Sequence, residues 1–304
     1  MIGLINGQTM LPMPSAKLVA SESTPDKDKA HIFESSIITW TKQIKNVLKL
    51  EPEQALKQGN DPGPLTELEF WEKKANNLNS IYEQLESNEV QNILRFLEGN
   101  KSTYTNPFSK LQKEVMNSRI EANDNFKYLN TLRPWFNKLV DSGKEFNTTH
   151  DLYLPIMHLI LLIWKRSKFY NTPPRLVVLI REICNAIITK ARDFMPGPAI
   201  FQLISSEETY EACEKLATTI DVCTKFKDAY FEYKAKAENT WKLTTNALFV
   251  RLDSFLERCH DILHLTMTIV QFNKLAKIEL GGTKGKSLTE TLNQIFVEFK
   301  KTVE

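Results

Sequence analysis

The sequence predicts an all-α fold, arranged as elongated tandem helical bundles of long antiparallel helices. Apolar residues recur every three or four positions over long stretches, which is the spacing of one helix face. Alternation of apolar and polar residues, which marks a half-buried strand, is nearly absent. Only 10 glycines and 13 prolines interrupt the 304 residues, and 42% of the residues are hydrophobic, which is ample for packed cores.

The chain is predicted to have three parts. Residues 1–30 form an irregular lead and a flexible linker, because much of this stretch is polar. Residues 31–194 form a first helical bundle region and residues 195–304 a second, since Met-Pro-Gly-Pro at 195–198 breaks the helical pattern. The last helical pattern has no stop signal, so we expect the second region to be truncated and the chain to be a fragment of a longer one.

Five helices are predicted in the first region, each from an apolar stripe at helical spacing. Pro134 is expected to bend or break the third helix. The fourth spans about 152–170, and Thr172 and Pro173 supply an N-cap and a first-turn proline for a fifth that reaches Phe194. The first three stripes are Ile37, Trp40, Ile44, Val47 and Leu48; Leu65, Leu68, Trp71, Ala75, Leu78, Ile81, Leu85, Ile93 and Leu97; and Phe108, Leu111, Val115, Ala122, Phe126, Leu129, Leu132, Phe136 and Leu139.

The second region is predicted to hold three helices. The first begins at a capping box formed by Ser205 and Glu208 and reaches about Lys236. The second spans about 246–279, and the third is still running at Glu304.

Residues 278–290, with the sequence IELGGTKGKSLTE, raise the question of a phosphate-binding loop. Such a loop needs a glycine five positions before its Gly-Lys-Ser, and that position is Leu280. It also follows a buried strand, whereas the preceding residues have helical periodicity. We therefore predict a helix stop at Gly281 or Gly282, followed by a helix start at a capping box over 287–290.

No catalytic, cofactor-binding or metal-binding residue is predicted. His260 and His264 have the spacing of two zinc ligands, but aspartate stands where metalloproteases carry glutamate, and no third ligand motif follows. We interpret the pair as part of a partly exposed helix face. No serine or cysteine nucleophile motif occurs.

Other charged and aromatic clusters have structural explanations. We assign Glu207 and Glu208 to a helix start, where carboxylates favour the helix dipole, and the acidic residues at 26 and 28 to the linker. Residues 133–136 and 227–241 carry extra aromatic rings near positive charges, a pattern also found on protein contact surfaces. Core packing is the preferred interpretation of both segments.

Composition excludes several classes of partner and location. The net charge is only +2 and is evenly spread, so no nucleic-acid partner is expected. The most apolar segment, 152–164, is too short to cross a bilayer, so no membrane association is expected. Cys184, Cys213, Cys223 and Cys259 lack disulfide or metal spacing, and the N-terminus lacks a secretion signal, which places the chain in the cytoplasm.

Several segments, taken in order, resemble the N-terminal tail of dynein heavy chains, and of axonemal rather than cytoplasmic ones. The run of matches favours an outer-arm chain. The segments are GQTMLPMP (7–14), IITWTKQIKNVL (37–48), GPLTELEFW (63–71), EANDNFKYLNTL (121–132), LIWKRSKFYNTPPRLVVLIREICNAII (162–188), FVRLDSFLERCHDI (249–262), FNKLAKIELGGTKG (272–285) and LNQIFVEF (292–299).

The resemblance implies stacked helical bundles that join heavy chains to one another, to β-propeller intermediate chains and to associated light chains. It also implies attachment through docking proteins to a doublet microtubule, in the axoneme of a cilium or flagellum within the cytoskeleton. The ATP sites and microtubule-binding stalk of the family lie far downstream, so no catalytic residue is carried over.

Two alternatives belong to other classes of protein. A freestanding helical scaffold or adaptor would have no motor, and only the dynein interpretation requires AAA modules after Glu304. An ATP-binding enzyme would use 281–287, and its nucleotide-dependent thermal stabilisation would be lost in Lys286→Ala.

Overall fold

The computed structural model describes residues 9–15, 26–53, 62–141, 146–195, 206–237, 241, 243, 245–275, 278 and 280–303. Every regular element among these residues is helical, which confirms the predicted all-α class. The α-helices are α1 (Asp26–Leu48), α2 (Pro64–Leu85), α3 (Asn88–Gly99), α4 (Thr105–Leu129), α5 (Arg133–Asp141), α6 (Tyr153–Arg166), α7 (Pro173–Phe194), α8 (Ser206–Lys236), α9 (Thr245–Leu275) and α10 (Gly282–Val303).

Several helix boundaries fall where the sequence predicts them. Helix α7 starts at Pro173, whose missing N–H costs nothing in a first turn, and it ends at Phe194. Helix α4 gives way to a 3₁₀ helix (Asn130–Leu132) just before Pro134, because proline cannot donate the backbone hydrogen bond that would continue an α-helix. The predicted break is confirmed, a few residues upstream of the proline.

The stripe that the sequence predicts from Leu65 to Leu97 is divided between α2 and α3. Ser87 has an extended backbone, and its hydroxyl accepts a hydrogen bond from the backbone N–H of Val90 at 3.4 Å. This N-cap starts a new helix. Ile93 and Leu97 are nevertheless fully buried, so the stripe correctly predicted that they are buried. It did not show that one helix ends and another begins between Leu85 and Asn88.

Two further boundaries differ from the prediction. Helix α1 begins at Asp26, so residues 26–30 are helical, which corrects the predicted linker at these positions. The helix expected over 152–170 is shorter: a 3₁₀ helix (Phe146–Leu152) precedes α6, which ends at Arg166. The predicted capping residue Ser205 and the Pro-Gly-Pro break at 196–198 lie outside the described residues.

The chain divides into two compact units. The first unit comprises Met1–Arg133 and Leu162–Leu176, and the second comprises Pro134–Leu161 and Val177–Glu304. The sequence-based division at 195 separates different segments, and it remains a prediction.

In the first unit, α2 packs mainly on α4, and α1 lies against both. Trp40 and Phe108 are buried with ring centroids 6.1 Å apart, and Phe33 and Phe96 meet edge to face at 5.4 Å. Large apolar side chains such as these each contribute about 1.5–3 kcal/mol when fully buried. The first two predicted apolar stripes and the third as far as Leu132 contribute to this core, whereas Phe136 and Leu139 of the third stripe belong to the second unit.

A polar network in the first unit joins the buried Glu67 carboxylate to Tyr170 and Trp71, with the partly exposed Arg175 and Glu121 beside it. The Tyr170 hydroxyl donates to Glu67 Oε2 at 2.8 Å, and Trp71 Nε1 donates to Glu67 Oε1 at 3.1 Å. The Arg175 guanidinium lies 4.9 Å from the centre of a Trp71 ring and 2.5 Å from a Glu121 carboxylate oxygen. Burial raises the pKa of Glu67 above its ordinary value of 4.5, although the hydrogen bonds and Arg175 oppose this shift.

In the second unit, α8 and α9 run antiparallel with an aromatic cluster at one end. The Tyr230 ring lies 5.2 Å from Phe249 and stacks 5.9 Å from Trp241, while Tyr153 meets Phe226 at 5.2 Å. All five rings are buried. The interpretation of 227–241 as core is therefore confirmed, apart from Phe231, which is 45% exposed.

Candidate interaction surfaces

The glycine-rich stretch forms a bend that leads into a helix. Gly282 has φ of +78°, a left-handed conformation that favours glycine, and α10 begins there. The glycine bend is confirmed, but Gly282 begins α10 and does not end α9, which stops at Leu275. The predicted helix start over 287–290 is wrong, because those residues lie inside α10. The bend at Gly282 already redirects the chain, so no second start is needed.

Gly285 is required by packing. A Cβ atom at this position would lie 2.7 Å from the carbonyl carbon and oxygen of Leu280, which is closer than real Cβ contacts. The backbone before the helix therefore occupies the space beside Gly285, while the side chains of Lys284 and Lys286 are exposed. The Gly-Lys-Ser sequence lies on a helix, and the described residues before it, from Thr245 to Leu275, are helical too.

His260 and His264 are both exposed on α9, as expected for a partly exposed helix face. Cys259, next to His260, is buried, and its thiol lies 3.7 Å from the Met195 sulfur. Within the part of the chain that the structure describes, no three histidine, cysteine or carboxylate side chains are grouped closely enough to hold a metal ion.

The acidic residues lie at helix starts, and the aromatic residues of 133–136 are buried or half-buried. Asp28 and Glu208 are exposed near the starts of α1 and α8, where a carboxylate interacts favourably with the helix dipole. In the 133–136 segment, Phe136 is fully buried, and Trp135 is half-buried with the Lys138 ammonium 5.2 Å from a ring centre.

Among the described residues, no helix is long and apolar enough to cross a membrane.

An open groove runs between α8 and α9 in the second unit, and we call it the α8/α9 groove. Its volume is about 560 Å³. Tyr210 and Met267 stand at its sides, each 49% exposed, and the Lys274 ammonium lies 5.5 Å from the Tyr210 ring centre. The lining residues are Tyr210, Cys213, Glu214, Ala217, Leu263, Met267, Val270, Gln271 and Lys274. An apolar floor with charged residues at its edge has the character of a helix-binding groove.

Helix α10 is a second apolar surface. Phe272 on α9 stacks on Phe296 at 5.0 Å, and this contact holds α10 against the end of α9. No described side chain of α10 is fully buried, and Leu288, Ile295 and Val297 are each about half exposed. Sequence periodicity could not separate these residues from core residues, because a stripe shows which face is apolar and not whether another element covers it.

A segment of the irregular lead is held in place by side chains of the first unit. We call residues 9–13 the lead segment. Leu11 is buried, Thr9 and Leu11 bind the side chain of Gln84, and Pro12 accepts a hydrogen bond from Trp40. The sequence prediction treated the lead as irregular and assigned it no contacts. No sequence signal sets Gln84 apart from the other polar residues that border the apolar stripe of α2.

Comparison with known proteins gives the family. Residues 30–304 match the family described as dynein heavy chain, N-terminal region 1. The chain is 48% identical to the dynein beta chain of the flagellar outer arm from Chlamydomonas reinhardtii, over 100% of this chain and 7% of that protein. It is 34% identical to the ciliary dynein beta chain of Tripneustes gratilla, over 98% of this chain and 7% of that protein.

A third relative is an inner-arm protein. The dynein-1-beta heavy chain of the flagellar inner arm I1 complex of Chlamydomonas reinhardtii is 29% identical, over 99% of this chain and 7% of that protein. The chain thus spans about 7% of the length of these relatives, within the N-terminal region that the family describes. With a match over nearly all of its residues and an all-helical fold, the chain belongs to the N-terminal regions of axonemal dynein heavy chains.

Proposed function

We propose that this chain is a non-catalytic tail segment of an axonemal dynein heavy chain. It associates with other heavy chains, binds intermediate chains and anchors the motor complex to the doublet microtubule of a cilium or flagellum. The match of residues 30–304 to dynein heavy-chain N-terminal regions carries this proposal. ATP hydrolysis belongs to modules of the parent heavy chain outside these residues.

The α8/α9 groove is the partner-binding surface that we propose for the second unit. A partner helix placed along it would cover Tyr210 and Met267 and continue the helical packing of the unit. Partially exposed tyrosine and methionine side chains are typical of the centres of protein interfaces. Glu214 and Lys274 at the edge would orient a partner that carries charges of the opposite sign.

Capture experiments test this function with a matched pair of variants. The immobilised chain is mixed with a purified β-propeller intermediate chain or with the N-terminal region of a second axonemal heavy chain. In Met267→Asp, docking would bury an unpaired carboxylate, so capture should fall at least about tenfold. Met116→Asp on α4 is the control, because Met116 is also 49% exposed but belongs to the first unit.

The outcomes separate the two parts of the proposal. If the unmodified chain captures neither partner, the assembly function is wrong. If it captures a partner and Met267→Asp does so equally well, the assembly function stands, but the α8/α9 groove is not the surface involved. A loss in both variants would point to a general effect of added negative charge.

A further inference from the structure

The end of α9, the glycine bend and α10 together line an apolar pocket. Its volume is about 140 Å³, and leucine, isoleucine and phenylalanine side chains make up most of its lining. An apolar cavity of about 150 Å³ with this kind of lining is large enough to hold a benzene ring. The pocket can therefore accept one leucine or aromatic side chain from another segment.

The pocket lies within an exposed apolar face, which we call the α10 face. A contiguous apolar surface on a folded chain marks an interaction site. The members of the α10 face are between 38% and 53% exposed: Leu275, Ile278, Leu280 and Leu288, which line the pocket, and Ile295, about two turns farther along α10.

The apolar stripe of α10 is wider than the surface that α9 covers. Leu288, Leu292, Ile295 and Phe299 recur at helical spacing, so they lie on one side of α10. Phe299 lies 5.8 Å from Phe272 of α9 between ring centres, and Leu292 is half-buried beside it. Leu288 and Ile295 are exposed. One edge of the stripe thus packs on α9, and the other edge can pack on a further helix.

The α10 face is separate from the α8/α9 groove. Successive residues of an α-helix are rotated by about 100°, so Phe272, which holds α10, points about 160° away from Val270, which lines the groove. A partner in the groove therefore does not cover the α10 face, and the two surfaces can be occupied at the same time.

The segment best placed to cover the α10 face is the one that follows α10 in a dynein heavy chain. The match covers only 7% of the length of the relatives and lies in their N-terminal region, so most of each relative follows it. Consecutive helices usually lie beside each other in space. A segment joined to the end of α10 also has a millimolar effective concentration at this face, which gives it an advantage over a separate chain.

We propose that the α10 face is the docking site for the heavy-chain helix that follows residue 304, and that this helix inserts a leucine or aromatic side chain into the pocket. The second unit is then joined to the next part of the tail by side-chain packing as well as by the peptide chain. The inference rests on the proposed tail function, because a freestanding scaffold would carry no such segment.

Hydrogen–deuterium exchange tests the proposal by comparing this chain with a longer form that continues through the next two helices of its heavy chain. Peptides within 282–299 should exchange at least about tenfold more slowly in the longer form, because the amides of a packed helix open less often. Peptides within 211–224 of α8 should exchange equally in both forms.

A matched pair of variants locates the contact. In the longer form, Ile295→Asp should remove most of the added protection of α10, since docking would bury an unpaired carboxylate. Val250→Asp is the control, because Val250 is also exposed but lies at the start of α9, and it should leave the protection unchanged. Both positions are exposed in this chain, so neither change should lower its helical content in circular dichroism.

The proposal is overturned if α10 exchanges at the same rate in both forms, or if the two variants reduce its protection equally. It is also overturned if a different occupant covers the face. That result would be a dimer of the shorter chain that Ile295→Asp dissociates, or protection that appears only after a β-propeller intermediate chain is added. Capture of partners by the unmodified chain is measured separately, so failure of this proposal would leave the proposed function standing.

Discussion

The buried carboxylate of Glu67 gives the sharpest test of what stabilises the first unit. It accepts hydrogen bonds from Tyr170 and Trp71, and both donors are buried with it. Glu67→Leu removes both acceptors. The buried Trp71 N–H would lose its acceptor, which costs about 1–3 kcal/mol, so the free energy of unfolding should fall by about 1–3 kcal/mol. Glu67→Gln keeps an acceptor oxygen and should cost less than about 1.5 kcal/mol.

The same residue predicts a pH dependence with a definite sign. Burial raises the pKa of Glu67 in the folded state above its ordinary value of 4.5, so the folded state holds this proton more tightly than the unfolded state. The contribution of Glu67 is therefore fully present below pH 4.5 and is lost as the pH rises through the folded-state pKa. Glu67→Gln does not titrate, so its stability relative to the unmodified chain should rise over this range.

Urea unfolding of the three chains, followed by far-UV circular dichroism and tryptophan fluorescence from pH 4 to pH 8, measures both effects. Taking differences between variants at each pH cancels the other titrating groups. Equal stabilities of Glu67→Leu and Glu67→Gln would refute the argument from the orphaned donor. A Glu67→Gln difference that is constant with pH would refute the argument from the raised pKa.

Two further predictions concern the second unit. The Tyr230 hydroxyl is buried without a hydrogen-bond partner among the described residues, so Tyr230→Phe should raise the free energy of unfolding by up to about 2 kcal/mol. The control Tyr210→Phe removes a hydroxyl from a half-exposed residue and should change the free energy of unfolding by less than about 0.5 kcal/mol. Equal effects of the two changes in urea unfolding would contradict this reasoning. Cys213 is the cysteine that is partly exposed, whereas the other three are buried, so mass spectrometry after brief alkylation of the native chain should find it modified first. Burial raises the pKa of its thiol above the ordinary 9.0, so the labelling rate should keep rising as the pH passes 9.0; prior labelling of Cys184 would contradict the burial pattern.

The helices were largely predictable, and their ends were less so. The apolar stripe predicted from Leu65 to Leu97 gave the correct buried residues except Leu65, which is half-buried, because the residues that share a helix face are fixed by local geometry. It concealed the start of α3 at Ser87, because a single capping serine can begin a helix without interrupting the apolar spacing. The start of α10 was misplaced for a related reason, since a capping box at 287–290 is compatible with both an interior and a start.

The candidate surfaces were only partly predictable. Aromatic residues at 227–241 were assigned to the core, which holds for Tyr230 and Trp241 but not for Phe231. All three are large aromatic residues, so residue type alone does not separate them. Tyr230 and Phe231 are adjacent on α8, and adjacent residues on a helix point about 100° apart, so the two rings cannot face the core equally.

The sequence by itself determined that this chain is helical, which residues are apolar on each helix, and which family it resembles. Each of these is a local property, carried by residues a few positions apart or by motifs read in order. Only the tertiary structure placed Glu67 against Tyr170 and the lead segment against Gln84, 103 and 73 to 75 positions apart in the chain. Polar side chains find such partners only when folding brings distant helices together, and the cost of leaving them buried and unpaired selects that arrangement.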